Sequence, residues 1–178
     1  MTYSTRFLAL LSLATAAAAG SPALAQDLSS TTADGADAIV VTGTRLSGRT
    51  VTTSPVPIDV LTTEELQANG YSGTAKALQS LVPSINYPHP TTPDGNTHIR
   101  SLTLRGLSPD QTLVLVNGQR RHTNAWVNVG GTIGKGSVPT DLNAIPIAAI
   151  GRVEVLRDGA SALYGSDAFA GVVNFILR

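Results

Sequence analysis

A glycine-rich stretch with one lysine, Gly131-Thr132-Ile133-Gly134-Lys135-Gly136-Ser137, has the residue types that cradle phosphate in a nucleotide-binding loop. The spacing does not follow. The pattern G-x-x-x-x-G-K-[ST] needs glycine where Val129 stands and Ser or Thr where Gly136 stands, and no strand clearly feeds the loop. His89, Asp94 and His98 are the only clustered side chains with metal-ligand chemistry. They share a proline-rich loop with nothing to fix their geometry, so no metal site is expected. His122 sits between Arg121 and polar residues, and Ser161 and Ser166 have no neighbouring base. A small hydrolase using His122 and a serine therefore finds no support, and no catalytic residue or cofactor is assigned. There is no Cys, which removes thiol catalysis, disulfides and Cys-type zinc sites together. Twelve Lys+Arg balance twelve Asp+Glu among 178 residues. This neutrality argues against nucleic acid, whose affinity comes chiefly from phosphate neutralisation.

Arg6 precedes an apolar run from Phe7 to Ala19, and Ala23-Leu24-Ala25 follows a short Gly-Ser-Pro break. A charged start, a short apolar stretch and a small-x-small end describe a secretory signal peptide over 1–25, with the exported chain beginning at Gln26. Residues 26–55 are mostly small and polar and read as a flexible segment, too poor in large apolar side chains to offset ordering entropy. Within it, Ile39-Val40-Val41 is a β-branched patch with nothing local to pair with.

From 56 to 178 the pattern is that of a folded α+β unit. Ile58 to Leu61 reads as a strand. Thr62 or Thr63 caps a helix through Ala68, with Glu64 and Glu65 in its first turn and Gly70 past its end. Ala75, Leu78, Leu81 and Val82 share one helical face, stopped by Pro83. Ser101 to Arg105 alternates as a half-buried strand. Leu113 to Val116 is apolar throughout, as a strand covered on both faces should be, and Asn117-Gly118 is the preferred pair for a tight hairpin turn. Pro146 opens a short helix, Arg152 to Leu156 alternates, Ala160 to Tyr164 is a small helix, and Val172 to Leu177 is a final apolar strand.

Four stretches occur in one order: Ile39-Val40-Val41-Thr42-Gly43-Thr44-Arg45, Thr103-Leu104-Arg105-Gly106, Leu113-Val114-Leu115-Val116-Asn117-Gly118, and the run from Val153 through Leu156-Arg157-Asp158-Gly159, Ala162-Leu163-Tyr164-Gly165-Ser166-Asp167 and Gly171-Val172-Val173-Asn174-Phe175. Together they resemble the N-terminal plug domain of TonB-dependent outer-membrane receptors, the transporters of siderophores, cobalamin and other scarce ligands. Where the family has Arg-Gly-Pro after its charged strand, this chain has Arg157-Asp158-Gly159.

The resemblance implies a small mixed-sheet plug with short helices, no enzyme. It implies that Ile39, Val40, Val41, Thr42, Gly43 and Thr44 form a TonB box. A strand-former at that place suits β-augmentation onto a partner's sheet edge. The implied partners are TonB, with ExbB and ExbD behind it, a C-terminal β-barrel, and a small-molecule ligand such as a ferric siderophore or cobalamin. Ligand-facing loops would carry Tyr87, His89, His98, Ser108, Arg121, His122, Asn124, Trp126, Asn128 and Lys135. Arg105, Glu154 and Arg157 would be paired charges within the plug or against the barrel wall. The implied location is the outer membrane, with the plug in the barrel lumen and the box in the periplasm.

Eight aromatics (one Trp, four Tyr, three Phe) are too few for a complete membrane barrel with two aromatic girdles. A 22-stranded barrel needs roughly 220 residues for its strands alone. The 178 residues are therefore expected to be a fragment of a longer frame or a truncated product. A free-standing periplasmic module that binds TonB or ligand without transporting is the alternative.

Overall fold

The structure, a computed structural model, describes residues 40, 42–43, 48–88, 98–129 and 134–178. The expected signal peptide over 1–25, and Ile39, Val41, Thr44, His89 and Asp94, lie outside the described residues.

Among the described residues, seven strands and three short helices alternate irregularly. β1 (Ile58–Thr62) runs into α1 (Thr63–Ala68), followed by α2 (Thr74–Leu81), β2 (Ile85–Asn86) and β3 (Thr103–Leu104). β4 (Thr112–Val116) and β5 (Gln119–Arg120) form a hairpin, and β6 (Ile150–Leu156), α3 (Ser161–Tyr164) and β7 (Gly171–Leu177) complete the fold. Five strands make one sheet in the order β1-β6-β7-β4-β5, and β2 pairs with β3 apart from it. All pairings in the large sheet are antiparallel except β4 with β7, so the sheet is mixed and the α+β expectation holds.

Local chemistry explains most boundaries. Thr62 Oγ1 accepts from Glu65 N, and the Glu65 carboxylate accepts from Thr62 N at 2.7 Å, a reciprocal cap that starts α1. Gly70, with φ +67, follows its end. Asn117 and Gly118 both take positive φ, 48 and 76, which is what a two-residue hairpin turn matched to strand twist requires. The expected strand from Ser101 to Arg105 is shorter than its alternation suggests. Only Thr103 and Leu104 pair with β2, because Arg105 already turns at φ 57 into Gly106, while Ser101 bridges separately to Asp141.

Strand alternation divides the side chains of the large sheet between two faces. On the first, Leu61, Val114, Val153, Val155, Val173 and Phe175 pack with Leu66, Ala77 and Leu78 from α1 and α2. On the second, Ile58, Leu113, Leu115, Leu156 and Val172 pack with Ala160, Ala168 and, from far upstream, Val40. Burial on both sides is why β4 and β7 read as nearly unbroken apolar runs. Residues 48–57 are held more firmly than their composition suggests. Val51 and Val56 lie against the second face, and the hydroxyls of Thr50, Thr52 and Thr53 bond to one another.

Candidate functional site

Two polar side chains stand at the middle of the second face of the sheet, between apolar neighbours. Glu154 of β6 and Asn174 of β7 stand directly opposite each other, flanked by Val60 on β1 and Leu115 on β4. Both polar residues are fully buried. A carboxylate in such a place is costly unless charge and hydrogen bonds compensate it. Arg152, two residues along the same face, supplies the charge, with Nε and Nη2 each 3.0 Å from Glu154 Oε1.

The other oxygen is taken by the upstream segment. Thr42 donates to Glu154 Oε2 from its backbone N at 3.0 Å and from its hydroxyl at 2.7 Å. Asn174 Nδ2 donates to the same hydroxyl at 3.0 Å, while Asn174 Oδ1 accepts from Gly118 N at the hairpin turn. The neighbours of Thr42 are tied in too. Val40 N donates to the Arg49 carbonyl at 2.9 Å, and Gly43 N donates to the Tyr164 hydroxyl at 3.0 Å. Val40 and Thr42 are buried. Sequence pattern leaves this segment without a local partner. The structure gives Thr42 and Gly43 partners more than a hundred positions away and Val40 a bond to Arg49, so at these three residues the segment is docked, not free. Arg152, Tyr164 and Asn174 escaped sequence reasoning. The readable signals were a lone Asn within Val172-Val173-Asn174-Phe175 and a lone Glu between two valines.

The other expected plug charges are paired at the surface. Arg157 Nε lies 2.8 Å from Asp59, and Arg105 lies 3.7 Å from Asp158 and donates to the Arg157 carbonyl. Both side chains are nearly half exposed, so solvent screens them as it does not screen Glu154.

The expected ligand-facing residues do not form one cluster. Tyr87 is a core residue at 2% exposure, packed on the first face, and burial pushes its phenol well above the usual tyrosine range. It presents no surface to a ligand. Asn128 is buried as well, its N–H donating to Ser137 O. His98, His122 and Lys135 are exposed, while Ser108, Asn124 and Trp126 are half-buried, Trp126 N donating to Asn124 Oδ1 at 2.8 Å. Arg121 lines a cavity of about 300 Å³ with Asp110, Thr112, Arg120, Thr140 and Asp167. There Arg120 holds Asp167 at 2.6 Å, and this bond, with a second from Ser166, keeps the Asp167 carboxyl below the usual carboxylate range. Among the described residues, no three His, Asp or Glu side chains are placed to hold a metal ion, and no helix is long and apolar enough to cross a membrane.

Comparison with known proteins places this architecture. An iron-regulated outer membrane virulence protein of Vibrio cholerae is 33% identical over 158 residues, 88% of this chain and 22% of that protein. The vitamin B12 transporter BtuB of the same species is 32% identical over 142 residues, 80% of this chain and 21% of that protein. Among solved structures, the ferric enterobactin receptor of Pseudomonas aeruginosa superposes with a TM-score of 0.54 at 26% identity, over 70% of this chain and 18% of that one. The siderophore receptor PirA of Acinetobacter baumannii does so with a TM-score of 0.51 at 30% identity, over 72% and 18%. The chain thus spans about a fifth of the length of these relatives. A family model described as the TonB-dependent receptor plug domain matches residues 50–172, the stretch that holds β1 to β6, Glu154 and the start of β7. With that match over most of its length, the chain belongs to the TonB-dependent receptor plug domain family.

Proposed function

We propose that this chain is the plug of an outer-membrane receptor that gates a β-barrel, helps bind a scarce ligand and drives its uptake. A ferric siderophore or cobalamin is the ligand class its relatives' names support. In this reading the chain is no enzyme, and residues 39–44 contact TonB in the periplasm, with ExbB and ExbD supplying energy through TonB. The observation that carries the reading is the character of the upstream segment. Val40 and Thr42 are strand-forming residues held by bonds to side chains and one carbonyl, and among the described residues neither belongs to a strand. A segment of that kind can leave its seat and add to the edge of another sheet, where main-chain bonds supply affinity.

Val40→Pro tests this reading. Proline removes the Val40 N–H and fixes φ, so it blocks pairing with a partner strand while leaving the plug sheet untouched. The full chain carrying Val40→Pro should lose binding to the purified periplasmic domain of TonB and keep slow amide exchange in β6 and β7, while loss of the buried valine and of its bond to the Arg49 carbonyl lowers the thermal midpoint. In cells, the receptor carrying it should still bind ferric enterobactin or cyanocobalamin at the surface yet fail to accumulate it. Undiminished energised uptake would overturn the assignment.

A further inference from the structure

We infer that Asp158-Gly159 is a site of self-modification, where the chain converts Asp158 to isoaspartate through a cyclic imide, and that the fold shields its Asn-Gly pairs from the same chemistry.

The reaction needs only water. The Gly159 nitrogen attacks Asp158 Cγ; an N–Cγ bond forms, the N–H proton leaves and the Cγ–OH bond breaks, releasing one water. A second water then opens the ring. Cleavage between nitrogen and Cγ restores aspartate. Cleavage between nitrogen and the main-chain carbonyl carbon leaves isoaspartate, whose backbone runs through the former side chain. One water leaves and one enters, and nothing is oxidised or reduced. Glycine in the second place favours closure, because it has no Cβ to obstruct the ring and its backbone rotates freely.

Among the described residues, three pairs have glycine after Asn or Asp: Asn69-Gly70, Asn117-Gly118 and Asp158-Gly159. What separates them is the acceptor that each glycine N–H has found. Gly70 N donates to Gln67 O at 2.9 Å, closing the end of α1. Gly118 N donates to Asn174 Oδ1 at 3.0 Å, and Asn117 Oδ1 accepts from Leu177 N at 2.9 Å, so both reacting groups of that pair are tied to β7. In each Asn pair the nitrogen must first give up a bond to another residue. Gly159 N instead donates at 2.8 Å to Asp158 Oδ1, an oxygen of the group it would attack. That contact holds the nitrogen beside Cγ.

The surroundings leave this pair room to close. Asp158 lies beyond Leu156, the last residue of β6, and neither Asp158 nor Gly159 belongs to a strand or helix. The Asp158 side chain is 56% exposed, and its 3.7 Å contact with Arg105 is screened by solvent. Ring closure therefore breaks no sheet bond. Isoaspartate adds one atom to the main chain between β6 and α3 and shortens the side chain by one carbon. The carboxylate moves from its place beside Arg105, while β6 keeps its pairing with β1 and β7.

The test is peptide mapping of the full chain during storage in neutral buffer, beside synthetic peptides that carry each pair with its sequence neighbours and no fold. Cleavage after Lys and Arg puts the three pairs, and the Asp-Gly pairs at 34–35 and 94–95 outside the described residues, in separate peptides. Isoaspartate is read by chromatographic separation of the isomers, and deamidation of Asn by the mass it adds. Each site is scored as its rate in the folded chain against the rate of its own peptide. Retardation by the fold should be smaller at Asp158 than at Asn117 by about tenfold or more, the scale of a hydrogen bond and the turn that opens with it. Retardation at Asp158 within twofold of that at Asn117 overturns the inference, and so does a folded chain that forms no isoaspartate at 158 while its peptide does. Gly159→Ala is the second measurement. Gly159 does not need the left-handed region, and a Cβ there meets only Phe169 O at 3.4 Å, so the fold is kept while the methyl crowds the ring. Isoaspartate at 158 should form more slowly in this variant, with deamidation at Asn117 unchanged. A rate at 158 equal to the parent's would show that the Gly159 nitrogen is not the attacking group, and would also overturn the assignment.

Discussion

Gly171 opens β7 at φ +141, a conformation that side chains rarely adopt, and it is also the tightest backbone approach in the sheet. A Cβ built there would lie 2.2 Å from the Leu156 carbonyl oxygen and 2.6 Å from Leu104 Cδ2, whereas ordinary contact begins at 3.4 Å. Neither neighbour yields easily, since one is backbone of the adjoining β6 and the other a fully buried side chain. Accommodating alanine therefore means moving β7 from β6 by about 1 Å at that end, in an interior packed like a crystal. The strained φ costs about 1–3 kcal/mol and the forced separation a further 1–3 kcal/mol. Gly70→Ala is the control. Gly70 also has positive φ, +67, but a Cβ there meets nothing within 4 Å, so only the conformational cost of about 1–2 kcal/mol applies. Urea unfolding of both variants, with unchanged m-values, should place Gly171→Ala at least about 1.5 kcal/mol below Gly70→Ala. Equal losses, within about 0.5 kcal/mol, would refute the idea that contact with Leu156 is what requires glycine.

Thr62→Ala removes the reciprocal cap of α1 and should cost about 0.5–2 kcal/mol, read as a lower thermal midpoint. Asp167→Asn should cost less than about 1 kcal/mol at neutral pH, because the Asp167 side chain is 53% exposed. The Asp167 carboxyl is held below its ordinary value, so its contribution is full above about pH 4 and lost as pH falls through the folded value. The gap between parent and Asp167→Asn should therefore close in acid and narrow with salt. Tyr87 has the opposite sign. Its phenol is raised by burial, so the folded state resists the deprotonation that the unfolded chain undergoes near pH 10. Stability should fall above about pH 10 in the parent, and Tyr87→Phe should flatten that alkaline limb of a melting series.

Much of the fold was legible because it is written in local chemistry. Thr62 and Glu65, the Asn117-Gly118 pair, and the apolar runs at Leu113–Val116 and Val172–Leu177 each announce a cap, a turn or a strand within a few residues. Two kinds of feature were not legible. The β2–β3 pair is only two residues long, and nothing around Ser101 to Arg105 says where pairing stops, since that depends on the backbone turn at Arg105. The site around Glu154 was visible as residues and invisible as an arrangement. Glu154 read as a charge to be paired, but its pairing with Thr42 spans 112 positions, and that of Asn174 with Thr42 spans 132. Tyr87 misled for a related reason. An aromatic beside a proline-rich loop suits a binding surface, yet the residue turns inward beside Ile85 to fill the first core.

The strand order bears on when the fold can form. β7, the last strand in sequence, lies between β6 and β4, and β1 waits for β6 roughly ninety residues downstream. A chain delivered N-terminus first thus has no partner for its opening strand until most of it has emerged. The two halves of the sheet meet only when residues 171–177 arrive. Such a topology folds slowly and late, and it leaves Thr42 without its seat until the final strand is in place.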